Sequence, residues 1–191
     1  MNLSLMDKEQ IKKVYNERML LDFPKDELKP LDTILEATDR GIYECFGILD
    51  EDKLVGYTFL EKFGNDYIVD YLAMLPAIRN KGVGSMAIGL ISDYVNGAGS
   101  VFLEVEDPEF AKNDEDRSLQ TRRIGFYKRN GFCDTGLRVT CFEVPFIILE
   151  MGEKRSRSMD EIWELYKEMY RQILPAGLYE GALERKSFGQ E

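Results

Sequence analysis

The residues Arg79-Asn80-Lys81-Gly82-Val83-Gly84-Ser85 join a cationic run to two glycines spaced by one position. Behind them, apolar side chains return at Val83, Met86, Ala87, Leu90, Ile91, Tyr94 and Val95, the spacing of one helix face. A helix that starts at the glycines leaves its first N–H groups without intrahelical partners, at the positive end of its dipole. Such an end suits an anion, phosphate above all. Arg79 would cover one flank of a pyrophosphate and backbone N–H groups the other, with glycine allowing close approach. A P-loop is not the source of this pattern, because "GVGSMAIG" lacks the Gly-x4-Gly-Lys-Ser/Thr order. The dinucleotide fingerprint G-x-G-x-x-G/A is met in letters by Gly82, Gly84 and Ala87, with Glu104 or Glu106 about 20 residues on. Its glycine turn should follow a strand at once, whereas "PAIRNK" intervenes here and two expected helices and a hairpin come first.

The chain contains no histidine, which removes Ser-His and Cys-His nucleophile pairs, imidazole bases and the common zinc sites. Chemistry falls to carboxylates, tyrosines, lysines or backbone, and no metal is expected. Asp70 stands out within the otherwise apolar "DYIVDYLAML", where a carboxylate needs a reason to be. Glu104 and Glu106 share one face of "VFLEVE". For each, the alternative is an ion pair to a nearby arginine or a solvent-facing strand position.

Length and composition set the frame around these residues. With 191 residues and 44% hydrophobic content the chain can build one sizeable core, expected over residues 1–151, with a C-terminal helical extension over 152–191 packed on it. A net charge of −10 speaks against nucleic acid or an anionic membrane as partner, yet cations gather at Arg79 and Lys81 and again at Arg117, Arg122, Arg123, Lys128 and Arg129. An acidic protein with two basic patches suggests a small polyanionic ligand. Cys45, Cys133 and Cys141 read as reduced thiols, the start "MNLSLMDKEQ" turns acidic before any signal core, and no apolar run can span a bilayer, so a cytoplasmic location is expected.

The elements that must position the site follow from pattern. Asp7 with Gln10 forms a capping box ahead of the stripe Ile11, Val14, Tyr15, Met19. A second helix is expected after Pro24, broken or bent near Pro30 and closed before Gly41. "IYECFGIL" and "LVGYTFLEKF" read as a hairpin, "DYIVDYLAML" as a third strand and "VFLEVE" as a fourth. A helix ends at "GFYKRNGF" with Gly131 as its left-handed cap, and "TCFEVPFIILEM" supplies late strand. Ser158 and Glu161 cap a last helix, striped by Ile162, Tyr166, Met169, Tyr170 and Ile173, that stops at Pro175. Trp163, Tyr166 and Tyr170 are expected to pack on the chain's own elements, with a dimer contact or acceptor-site wall as the alternative.

The strand "IVDYLAMLP", the turn "RNKGVGS", the helix behind it, "VFLEVE" and "RRIGFYKRNGF" together resemble the acetyl-CoA-binding core of the GNAT N-acetyltransferases. The match runs over residues 66–133, and the helix-helix-hairpin order of residues 7–62 fits the family's N-terminal half. The resemblance implies an α/β fold with a mixed, mostly antiparallel central sheet whose central strands splay apart, flanked by helices. It implies acetyl-CoA as co-substrate, held by the backbone of Leu72 and Met74 and by Arg79, Asn80, Lys81, Gly82, Val83, Gly84 and Ser85. Transfer would be direct, in a ternary complex, to a small-molecule or peptide amine, and the acidic balance leans towards a cationic one. Tyr127, in Tyr-x-x-x-Gly-Phe, would protonate the departing thiolate. Asp70 would draw the amine's proton, with Glu104 and Glu106 as rivals, and the N–H of Met74 would serve the oxyanion. Many members carry Asn shortly before the last motif where this chain has Gln120 and an acidic loop. A non-catalytic acyl-CoA-binding domain of the same fold and, further off, a Rossmann-type oxidoreductase are the competing readings; a monomer or a homodimer is expected.

Overall fold

Glu51 and Asp52 both take positive φ, 47° and 65°, the turn type that matches the twist of a two-residue hairpin. They join β2 (Tyr43–Asp50) to β3 (Lys53–Phe63) as the alternation in the sequence predicts. In the computed structural model, which describes residues 1–25, 27–79, 81–174, 179 and 181–186, the chain divides into two compact units, Met1–Gly99 and Ser100–Glu191. The expected edge at 151/152 does not coincide with this division: the last helix belongs to the second unit.

In the first unit an N-terminal strand, β1 (Asn2–Leu5), pairs with β2, then β3, then β4 (Asp66–Met74), each antiparallel to its neighbour. This meander is not the parallel sheet that a dinucleotide fingerprint requires, and that reading falls. β1 is absent from the sequence reading because four residues carry too little alternation. Asp7 caps α1 (Lys8–Val14) through the expected box with Gln10; the helix runs on through a π-helical turn, Tyr15–Met19, into α2 (Leu20–Asp22). The second long helix, α3 (Leu31–Asp39), begins after Pro30, not Pro24. Pro30, at φ −56° and ψ 142°, is its non-helical N-cap, and proline also disfavours helical backbone in the residue before it, so the helix starts beyond. α4 (Val83–Tyr94) packs on β4 and β1. Its buried positions are Ala87, Ile88 and Ile91, while Met86 and Tyr94 are exposed, so the buried stripe lies one position round from the expected one.

The β3–β4 pairing slips once. Phe59 faces Tyr71 and Leu60 faces Val69, so Asp70 is an extra residue with no partner across the ladder. Further along, Gly56 lies opposite Met74. A Cβ on Gly56 would stand 2.7 Å from the Ala73 carbonyl oxygen and 2.8 Å from the Met74 side chain. The strands therefore approach there only because one residue has no side chain.

In the second unit the order is β5 (Val101–Glu106), β7 (Val144–Met151), β6 (Phe132–Cys141), β8 (Leu183–Arg185), again antiparallel. The expected late strand resolves into a hairpin, β6–β7, turning at Phe142 and Glu143 with φ of 47° and 67°. α5 (Asp114–Arg129) starts from an Asn113 cap and ends before Gly131, whose φ of 86° is the predicted left-handed stop. α6 (Met159–Ile173) carries the Ser158–Glu161 capping box and buries Ile162, Tyr166, Met169, Tyr170 and Ile173 as predicted. Its expected stop, Pro175, lies outside the described residues. Cys45 and Cys141 are buried, Cys133 is half-buried, and none of the three is in a disulfide. Among the described residues no helix is long and apolar enough to cross a membrane.

Gly56→Ala should lower stability by about 1–3 kcal/mol, the usual cost of forcing an atom into a filled space. Denaturant unfolding checks this; an unchanged midpoint would mean that the two strands are not held this closely.

Candidate active site

Asp70 gains from the slipped register a direction that a regular strand would deny it. Adjacent residues normally face opposite sides, yet Asp70 and Tyr71 reach the same segment of chain. The Lys29 ammonium donates to both Asp70 oxygens, at 2.8 and 2.9 Å, and lies 5.7 Å from the centre of the Tyr71 ring. The Lys29 amide donates to the Tyr71 hydroxyl at 2.9 Å, and that hydroxyl donates to the Glu27 carbonyl at 3.0 Å. Tyr43 donates to Asp70 Oδ2. The side chains of Lys29 and Asp70 are 8% and 5% exposed, which makes this a buried ion pair. Burial raises the Tyr43 phenol well above its ordinary pKa, and the charge of Asp70 pushes the same way, so Tyr43 keeps the proton that it donates to Asp70.

The phosphate stretch follows β4 through a short 3-10 turn, Pro76–Ile78. Gly82, at φ 76°, is the N-cap of α4, and among the described residues no side chain caps the helix. Lys81 and Ser85 are exposed, Val83 and Gly84 half-buried; Asn80 lies outside the described residues. The Arg79 Nε donates to the Met74 carbonyl at 2.8 Å and its Nη2 to Asp22 Oδ1 at 2.8 Å. Leu72 lies opposite Thr58, and Met74 opposite Gly56.

In the second unit Tyr127 sits on α5, edge-on to Phe126 and Phe132 at 5.2 and 5.6 Å. Burial lifts its pKa above the ordinary value, and the nearby Arg123 guanidinium offsets part of that. Among the described residues its hydroxyl has no hydrogen-bond partner, whereas Tyr43, Tyr57, Tyr71, Tyr166 and Tyr170 all donate to one. Glu104 does not stand open as an expected base would: Tyr166 and Tyr170 of α6 both donate to its Oε1. Glu106 pairs with Arg123, the ion-pair alternative raised for it from sequence. Gln120 is buried, and its Oε1 has no partner among the described residues. No group of carboxylates or cysteines among the described residues could hold a metal.

Lys29, Tyr43 and Asp22 escaped the sequence reading. Lys29 stands in "DELKPLD", with no periodicity to mark it, and only the unexplained charge of Asp70 signalled that some partner must exist.

The chain belongs to the GNAT family of acetyltransferases, whose model matches residues 9–132. Among solved structures it is similar to a GNAT-family acetyltransferase from Bacteroides thetaiotaomicron, at 23% identity and TM-score 0.71, covering 91% of this chain and 97% of that one. It is also similar to an aminoglycoside 6′-N-acetyltransferase complexed with coenzyme A, at 15% identity and TM-score 0.54, covering 78% and 96%. An uncharacterised protein of Mycobacterium leprae is 33% identical over 110 residues, 53% of this chain and 27% of that protein, so the chain matches only about a quarter of that relative's length.

Two outcomes follow from these contacts. Lys29→Met should destabilise by about 3–5 kcal/mol because it strands a buried carboxylate, and Lys29→Met with Asp70→Leu should recover most of the loss; a single variant costing under about 1 kcal/mol would refute the pair's burial. Burial raises the Tyr166 phenol well above its ordinary value, with the Glu104 charge acting in the same direction. A raised folded pKa gives stability that is complete below the unfolded value of about 10 and is lost as pH climbs beyond it. Thermal melting should therefore fall above pH about 10, less steeply in Tyr166→Phe than in the wild type; equal slopes would contradict it.

Proposed function

We propose that this chain transfers the acetyl group of acetyl-CoA to a primary amine by direct attack in a ternary complex. The observation that carries the reading is the turn after β4: a glycine in left-handed backbone opens α4, no side chain among the described residues caps the helix, and an anchored arginine stands just before it. Family membership supports acetyl transfer, and the solved N-acetyltransferase complexed with coenzyme A supports the co-substrate and the amine. The phosphates would lie against Arg79 and the backbone of residues 80–85, the pantetheine arm along Leu72 and Met74, and the Met74 N–H would serve the oxyanion.

Tyr127 is the proton donor in this reading. Its phenol is protonated at neutral pH, burial moves its pKa further up, and among the described residues its hydroxyl is not spent on another group. Of the three carboxylates we retain Asp70 for the amine's proton, since a primary ammonium already rests against it. An acceptor ammonium is the same chemical group as that of Lys29 and could exchange with it at constant charge. We place the protein in the cytoplasm, with a small-molecule or peptide amine as acceptor and a monomer or homodimer as the working unit. A second reading, acyl-CoA binding without turnover, draws on the partners that already engage Asp70, Glu104 and Glu106.

Thiol release from acetyl-CoA, screened against polyamines, amino acids, aminoglycosides and peptide N-termini, separates the two: turnover with any amine supports transfer, and binding with none supports the second reading. With an acceptor in hand, Tyr127→Phe should keep acetyl-CoA affinity and cut turnover by roughly 10²–10⁴-fold. Near wild-type turnover at pH 7 would remove Tyr127 as the acid.

A further inference from the structure

The geometry points to Asp22 as the residue that positions Arg79 for the phosphate-bearing end of the co-substrate, an inference that rests on the acetyl-CoA reading above. Asp22 is the last residue of α2 and follows the π-helical turn Tyr15–Met19, an irregularity that recurs at functional sites. Its side chain is only 6% exposed, and both oxygens are saturated. Oδ1 accepts from Arg18 Nη2 at 3.0 Å and Arg79 Nη2 at 2.8 Å; Oδ2 accepts from Arg18 Nη2 at 3.0 Å and the Tyr57 hydroxyl at 3.1 Å. A carboxylate offers about four acceptor sites, so this one has nothing left for a ligand.

Arg79 is the opposite case. It carries five N–H donors in a rigid plane and spends two, one on the Met74 carbonyl and one on Asp22. Among the described residues, both N–H groups on Nη1 and the second on Nη2 have no partner, on a side chain 48% exposed. Two anchors, one on β4 and one on α2, fix the plane, so the free edge is aimed before any ligand arrives. Preorganisation of this kind lowers the ordering cost that binding would otherwise carry. The cluster is also charged for an anion: two guanidinium groups against one carboxylate leave a net positive charge beside the uncapped start of α4.

The opposite role, Asp22 as a competitor that withholds Arg79 from phosphate, predicts the reverse sign, which makes the inference testable. CoA is titrated calorimetrically into the full chain as wild type, Asp22→Asn, Arg79→Ala and the double variant, with pantetheine as a phosphate-free control. Asp22→Asn should weaken CoA binding about 10-fold, a coupling usual for hydrogen-bonded neighbours, leave pantetheine binding unchanged, and have no further effect once Arg79 is alanine. Removing a negative charge alone would favour an anionic ligand, so such a loss cannot come from charge. Unchanged or tighter CoA binding, or an equal loss in the Arg79→Ala background, overturns the inference. Should Asp22→Asn fail to fold, Arg79→Lys keeps the charge at an exposed position and loses the fork; it should show the same loss, and full affinity there overturns the inference too. Wild-type chain that does not bind CoA overturns the co-substrate reading and this one with it, whereas binding insensitive to Asp22 overturns this one alone.

Discussion

One extra residue in β4 governs the first unit. Because Asp70 has no partner across the β3–β4 ladder, it and Tyr71 both turn to the segment at Glu27 to Lys29 and fasten it. That fastening holds the connection between α2 and α3 against the strand, and with it Phe23, whose ring packs edge-on to Tyr57 and Tyr71 at 6.4 and 5.1 Å. Beyond the slip, β4 resumes its pairing, and its end is drawn tight by Gly56. The Met74 carbonyl is thereby set where Arg79 binds it. A register irregularity, a glycine and an arginine fork thus form one chain of cause from strand to the glycine turn.

Two groups of charges in this unit are centred on buried carboxylates, beside solvated pairs such as Lys8–Asp39. Breaking a buried ion pair costs more than forming it contributes, because the abandoned charge stays desolvated. Lys29–Asp70 and the Asp22 cluster are of this kind, and both touch residues assigned to acetyl transfer. Surface pairs such as Lys12–Glu9 carry little by comparison. The net charge of −10 therefore says little about the site, where local positive charge decides what can bind.

Local pattern made much of this legible. Capping residues, alternation and the glycine turn gave α1, the β2–β3 hairpin, β4, α4, β5 and α6, because each is marked by residues within a few positions of its ends. Short strands escaped: β1 and β8 exist through pairing with β2 and β6, which no window of sequence displays. Proline was visible at 24 and 30, but either fits a helix start, and the long helix opens after the second. The same limit applies to the site. Asp70 was conspicuous as a charge out of place, while its partner was an ordinary lysine in a loop. Glu104 looked like an open carboxylate until the tyrosines of α6, some 60 residues on, closed over it.

In the proposed function, the turn after β4 holds the phosphates of a CoA thioester. Amide hydrogen exchange on the full chain, with and without saturating CoA, tests it most directly. The account predicts added protection at Gly82 to Ser85 and along Leu72 to Met74, reproduced in the first stretch by a phosphate-bearing fragment of CoA and only in the second by pantetheine. Protection confined to other segments, with both stretches exchanging as in the free protein, would contradict it.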